Sequence, residues 1–477
     1  MGRLGIVVGP ERVDGWEGAL NTESPVSSDG SSRPTPGRVR ALGMWSLASL
    51  GLNLVVGAGF FLLPSQFFAV SGAWSPWIIL LVGVFIVPIA LSFAEVGSRY
   101  SGNGGPYLYV RAAFGPLAGF EIGWILWLSR IISHASVLSG LLLLLEVIGG
   151  QPLGELSKVV VVAGLTSVIG YFSVVGGDTN ARLVTGLAVV KIAAVIVLIV
   201  VGLPQVEWTR IVPDTGLSLA QFGQAAVLAI FVISGFEMLC IPAGEASNPQ
   251  RDVPRALLVA LMAGVALIVA ANVVAIGLVP DLGASRLALA DAGQAALGLP
   301  GWWMIAIAAV LAAVGNNVSG LLASSRLLAG LADEGDVPGV LGRRSERYGT
   351  PVVAVIATAT VIIALALSGS FVWLVGLASG TRLLIYIGVA VATARLRAPR
   401  FTQTVPAARF RTPAPRLVLV LSVLGSLSIL TVMTPSQLAA IGAGLVAGLL
   451  LFITCGPGAG LWKRAWQRMN RPTTTPR

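Results

Sequence analysis

The chain has 477 residues, of which 55% are hydrophobic and 11% charged, and its mean hydropathy is +0.87, whereas about a quarter of an average soluble domain is charged. Such a chain cannot cover its surface with polar groups, so lipid must be its solvent, and the formal net charge of +10 has to be judged by where the charges fall. The two cysteines, Cys240 and Cys455, are too few for a disulfide framework or a cysteine metal site, and both are expected in the core.

Residues 1–40 are polar and rich in Gly, Pro and Ser. They lack the basic patch and short apolar core of a signal peptide, and are expected to form a disordered cytoplasmic tail. Twelve apolar runs follow, at residues 42–72, 74–97, 114–148, 158–175, 183–203, 219–243, 255–278, 302–331, 351–367, 371–394, 417–433 and 437–455. Runs of this length match the roughly 20 helical residues needed to cross a hydrocarbon core of about 30 Å. Backbone groups facing lipid must bond within their own segment, and barrel-like alternation is absent, so all twelve are predicted as helices of an all-α polytopic membrane protein. An even number places both termini on one side. If that side is cytoplasmic, 25 of the 31 Arg and Lys fall in cytoplasmic segments, among them Arg38, Arg40, Arg343, Arg344, Arg347 and the stretches 395–416 and 463–471. Lys158, Arg210 and Arg286 fall outside. This is the positive-inside bias, so the basic excess records topology in a cell membrane, plasma or cytoplasmic, and no nucleic-acid partner is expected.

Two runs are interrupted as ordinary spans are not. The first reads LNLVVGAGFFLLP, with Gly57 and Gly59 in mid-run and Pro64 beyond; the sixth reads AIFVISGFEMLCIPAGEASNP, with Ser234 and Gly235 in mid-run, then Glu237 and Pro242. Glycine leaves helical geometry most cheaply and proline removes a donor, so both helices are predicted to unwind near the bilayer midplane. The second half thus begins with the same unusual element in the opposite orientation. The pattern predicts an inverted repeat, residues 41–203 and 204–397, then two more helices in 398–457 and a cytoplasmic tail at 458–477. Unwound backbone at membrane depth is tolerated only where it lines a cavity; half-helix N-termini there attract a carboxylate and free carbonyls an ammonium. A zwitterion with both groups on one carbon suits such a site. Glycine also serves simply to let membrane helices approach, the role expected of Gly376 and Gly380.

From about Leu42 to Arg397 the chain resembles the amino acid, polyamine and organocation transporter superfamily. GAGFFLLP (Gly57 to Pro64) is similar to its first-helix signature. AEVGSRYSGNGGPYLYVRAAFGPLAGFEIGW (Ala94 to Trp124) is similar to the end of its second helix, the following loop and the start of its third. SGFEMLCIPAGEASNPQRDVPRAL (Ser234 to Leu257) is similar to its sixth helix and the next loop. Ala58, Phe60 and Ser101 stand where the family commonly has serine, isoleucine and proline. The resemblance implies a LeuT-like fold of five plus five helices, and transport of an amino acid or related amine by alternating access. It implies that the amides of Ala58, Gly59 and Phe60 hold the carboxylate, that the carbonyls of Val55, Phe231 and Ser234 hold the amino group, and that Phe231 also gates the site. The substrate side chain is expected to meet helices three, eight and ten.

Lys191 lies about eight residues into the fifth run, on the order of 12 Å along a helix rising 1.5 Å per residue. A charge there costs roughly 3 kcal/mol on insertion scales, so it is expected to be paired or functional. The surrounding LAVVKIAAVIVLIV resembles the fifth helix of proton-coupled family members, which implies proton coupling through Lys191. Arg130 with His134 could form a proton relay and Arg382 a carboxylate clamp, but the simpler expectation is that they satisfy carbonyls or acids such as Glu121 and Glu237. Glu95, Glu237 and Glu245 fall at family motif positions suited to gating or helix anchoring. No lysine follows a glycine as in a phosphate-cradling loop, no G-x-S-x-G occurs, and His134 alone cannot make a metal site, so neither an enzyme nor a cofactor is expected. An exchanger, a channel and a transporter-like nutrient sensor remain alternatives to a permease.

Overall fold

The computed structural model describes residues 42–455 apart from 101–104, 176–177, 214–215, 242–245, 402 and 404. The predicted tails, Ser101 and Glu245 lie outside the described residues. In chain order the helices are α1 (Met44–Val55), α2 (Ala58–Leu62), α3 (Pro64–Ser71), α4 (Ser75–Gly97), α5 (Pro106–Phe114), α6 (Pro116–Gly149), α7 (Glu155–Val175) and α8 (Asp178–Gly202). They continue as α9 (Leu219–Ile233), α10 (Pro249–Leu278), α11 (Ala288–Leu297), α12 (Leu299–Asp333), α13 (Val352–Ser368), α14 (Phe371–Arg395), α15 (Pro415–Leu430) and α16 (Pro435–Cys455). Among the described residues, nine helical stretches are long and apolar enough to cross a membrane; one of them, Pro64–Gly97, runs through a short 3₁₀ turn at Gly72–Trp74. The apolar helices α1, α13 and α15 are shorter. The protein is therefore a polytopic all-α membrane protein.

Local chemistry sets many of the helix starts. Proline, whose missing N–H is harmless in a first turn, opens α3 to α6, α10, α12 and α15. A capping box opens α9: the Ser218 hydroxyl accepts the Gln221 amide at 3.2 Å, and the Gln221 side chain accepts the Ser218 amide at 3.0 Å.

Burial separates an inner group of helices from an outer one. Of the apolar windows, 78% is buried in α6 and in the stretch containing α9, and 72% in α14, against 17% in α16. Aromatic side chains from three elements lock the centre: the Phe93 ring of α4 stands 6.3 Å from Phe236 and 5.9 Å from Tyr386 of α14. Gly376 and Gly380 do act as close-packing positions, since a Cβ on Gly376 would collide with Gln437 of α16 and one on Gly380 with Met433 just before it. Cys240 is buried as expected, but Cys455 is exposed. It ends α16, an outer helix whose apolar surface needs only lipid to cover it.

Both suspect runs are interrupted. The first stops at Val55 and restarts at Ala58, and the sixth leaves the α-helix after Ile233 and continues as a 3₁₀ turn, Phe236–Cys240.

Candidate functional site

At the first break Val56 adopts φ −77, ψ 61 and Gly57 is extended at φ −85, ψ −170. The Gly57 amide turns back to the Val55 carbonyl at 2.8 Å, a three-residue turn, where a continuous helix would send it to Asn53 four residues back. The Asn53 carbonyl is thereby released, and the Lys191 ammonium of α8 donates to it at 2.9 Å. Lys191 is buried, and it holds the bond that the break vacated.

At the second break Ser234 is extended, and its amide closes α9 on Ile230 at 3.0 Å while its hydroxyl donates to the Phe231 carbonyl at 2.7 Å. Gly235 takes φ +120 and donates its amide to Glu237 Oε2 at 2.8 Å. That φ suits glycine alone. Space demands glycine as well, because a Cβ would lie 3.0 Å from the carbonyl carbon and oxygen of Leu54. The two breaks therefore meet backbone to backbone. A second close approach joins them at Gly59, where a Cβ would lie 2.8 Å from the Phe231 ring.

Between the breaks lies a cavity of about 60 Å³. Val55, Gly57, Ala58, Gly59 and Phe60 line it from one break, and Phe231, Ser234, Gly235 and Glu237 from the other, whereas Pro64 does not line it and Pro242 lies outside the described residues. The remaining wall comes from Ser129, Arg130, Ser133 and His134 of α6, Asn316 of α12 and Arg382 of α14. These three helices occupy the third, eighth and tenth predicted runs. The volume admits a few waters, each needing about 10–15 Å³ of such space, and falls well below the ~300 Å³ at which ligand pockets begin. The site is contracted, and side chains must move before it holds anything larger.

Arg130 and Arg382, for which satisfying neighbouring carbonyls or acids is the simpler expectation beside a proton relay and a carboxylate clamp, form part of this wall. The Arg382 Nη2 donates to the Ser133 hydroxyl at 2.6 Å, its Nε lies 3.8 Å from Glu237 Oε1, and its guanidinium sits 5.2 Å from the centre of the Phe231 ring. Arg130 Nε donates to the Ser324 hydroxyl at 3.2 Å, and its Nη1 rests on the Met238 sulfur. Glu121 does not serve them. It lies nine residues from Arg130, ~13 Å along the helix, on the face of α6 that packs against Gly448 of α16. The His134 ring packs so closely on Gly320 that no side chain fits there, and neither ring nitrogen has a partner among the described residues.

Glu95 stands apart from the cavity. It is buried, accepts Arg397 Nε at 2.6 Å and the Thr412 amide at 2.8 Å, and so ties the end of α4 to the segments after α14 and before α15.

Apolar spans around a cavity where two interrupted helices meet define a multi-pass membrane protein with a candidate binding site. Residues 42–467 match the family described as amino acid permease, and the chain belongs to that family. It is 27% identical over 396 residues to an uncharacterised transporter of Mycobacterium tuberculosis, covering 74% of this chain and 79% of the relative. A second uncharacterised transporter of that organism is 28% identical over 369 residues, covering 74% and 80%. A polyamine transporter of Oryza sativa subsp. japonica is 28% identical over 362 residues, covering 73% and 66%.

Proposed function

We propose that this protein is a secondary transporter of amino acids, working by alternating access around the cavity and coupled to protons through Lys191. The observation that carries the proposal is the meeting of two unwound helices at one polar cavity, with the Gly235 backbone against Leu54. The amides of Ala58 and Gly59 open α2, and the first amides of a helix have no carbonyl a turn behind them to bond. They are free to take an α-carboxylate; the Phe60 amide contributes less, because it already reaches the Gly57 carbonyl at 3.2 Å. The carbonyls of Val55 and Phe231 each accept one internal bond and keep a second lone pair, which with the Ser234 carbonyl suits an ammonium. Phe231, resting on Gly59, must swing aside to admit a substrate, as a gate does.

Lys191 reports its proton to the first break. A hydrogen bond from a charged donor is worth about 1.5–3 kcal/mol and a neutral one about 0.5–1.5. Losing the proton would thus loosen the bond to Asn53 by about 1–2 kcal/mol, the usual size of coupling between two sites. In this scheme residues 41–203 and 204–397 are the two repeats that rock against each other, with Glu237 at the hinge and Glu95 as anchor. The charge bias supports a cell-membrane protein with both termini in the cytoplasm. The relative named a polyamine transporter makes amino acid–amine exchange the alternative mode of the same site.

Counterflow in proteoliposomes tests the proposal. Uptake of a labelled amino acid should accelerate when unlabelled substrate is loaded on the far side; entry indifferent to that loading would mark a channel, and no uptake at all a sensor.

A further inference from the structure

The cavity holds more positive than negative charge. Among the described residues its lining includes two guanidinium groups, Arg130 and Arg382, and one carboxylate, Glu237. Arginine stays protonated throughout the pH range of proteins. Glu237 is 1% exposed and already engaged: Oε2 accepts the Gly235 amide at 2.8 Å, while Oε1 stands 3.8 Å from Arg382, beyond hydrogen-bonding reach. The two hydrogen-bond partners of Arg130, the Ser324 hydroxyl and the Met238 sulfur, are neutral. Arg382 Nε and Nη1 are buried without an acceptor among the described residues. Among the described residues of the lining one positive charge at membrane depth is therefore unbalanced, an expensive condition. The groups bearing it are planar forks whose natural complement is a carboxylate.

A zwitterion gripped at the breaks is neutral and leaves this surplus in place. We infer that the substrate brings a second carboxylate, so that the site takes amino acids with an acidic side chain. The α-carboxylate and ammonium lie at the breaks, and the side-chain carboxylate lies on Arg130 and Arg382. The inference rests on the amino acid transport proposed above and adds the substrate class. The path between the two subsites is short: the same Phe231 ring lies against Gly59 and has the Arg382 guanidinium 5.2 Å from its centre. Once the ring swings away, the break and the guanidinium face the same space. A polyamine, bearing only positive charge, would add to the surplus.

The test is counterflow by the purified wild-type protein in proteoliposomes, with labelled L-glutamate and L-aspartate set against their neutral isosteres L-glutamine and L-asparagine, and against putrescine. The acids should exchange at least tenfold better than the amides, and putrescine should not exchange. In Arg130→Gln and Arg382→Gln the acid-to-amide ratio should fall toward one, and in Arg130→Lys, which keeps the charge, it should stay on the acidic side. Wild-type protein that exchanges amides as well as acids overturns the acidic class and leaves amino acid transport standing. Exchange of putrescine alone overturns both, and exchange of none of these compounds overturns the acidic class, with counterflow of the remaining amino acids then deciding whether amino acid transport falls with it. The wild-type ratio decides the matter even if the variants do not fold.

Discussion

Gly235→Ala puts a methyl group where the backbone has neither the angle nor the room for it. At φ +120, ψ −27 an L residue is strained by about 1–3 kcal/mol. The new Cβ would also lie 3.0 Å from the Leu54 carbonyl carbon and oxygen, main-chain atoms that cannot rotate out of the way. At about 1.4 kcal/mol per factor of ten, that strain depletes the kinked form about 5- to 150-fold. Apparent substrate affinity should weaken by up to that factor, because binding draws on the competent fraction. Gly57→Ala is the control. Gly57 is extended at φ −85, ψ −170, and a Cβ there would come no closer than 3.4 Å to Asn316 and Leu54, so its cost should stay within about 1 kcal/mol. The assay is the concentration dependence of counterflow in proteoliposomes, paired with the thermal unfolding midpoint of the purified protein. Equal losses in the two variants, or a Gly235→Ala protein that binds and unfolds like the wild type, would refute the claim that this backbone angle holds the second break open.

Lys191→Ala removes the donor to the Asn53 carbonyl; the protein should remain in the membrane while accumulation driven by a pH gradient disappears, and accumulation that keeps its wild-type response to the gradient would remove Lys191 from the coupling. Just beyond α12, Asp336 is buried, accepts the Tyr107 hydroxyl at 3.0 Å and lies 3.3 Å from Arg111. Burial pushes its carboxyl above the ordinary aspartate range, although the Tyr107 bond and Arg111 pull the other way. A carboxyl raised in the folded state favours folding fully below its unfolded value, near pH 4, and loses that contribution as pH rises through the folded value. Asp336→Asn, neutral throughout, should lose this part of the pH dependence; unfolding midpoints of the two proteins measured from about pH 3.5 to 7 should diverge with pH, and a constant difference would contradict the assignment.

Both breaks could be read in the chain because interrupters cluster in mid-run, Gly57 and Gly59 followed by Pro64 in one and Ser234 and Gly235 followed by Pro242 in the other, whereas Gly376 and Gly380, with no proline beyond them in their run, stay inside the unbroken α14. Lys191 was equally conspicuous, since a lone charge in an apolar run is costly whatever surrounds it. Its partner was not: the Asn53 carbonyl became available only because Gly57 turned back to Val55, a consequence of the break's geometry.

The order of residues along the chain by itself determined that lipid is the solvent, where the apolar runs lie, and where two of them come apart. Only the tertiary structure decided that α6, α12 and α14 turn Arg130, Asn316 and Arg382 toward those breaks, and that Glu121 faces α16 instead. In water, apolar periodicity marks the face of a helix that turns inward. In a bilayer the outward face is as apolar as the inward one, so the pattern that would orient a helix is erased, and packing alone assigns its polar groups to the cavity.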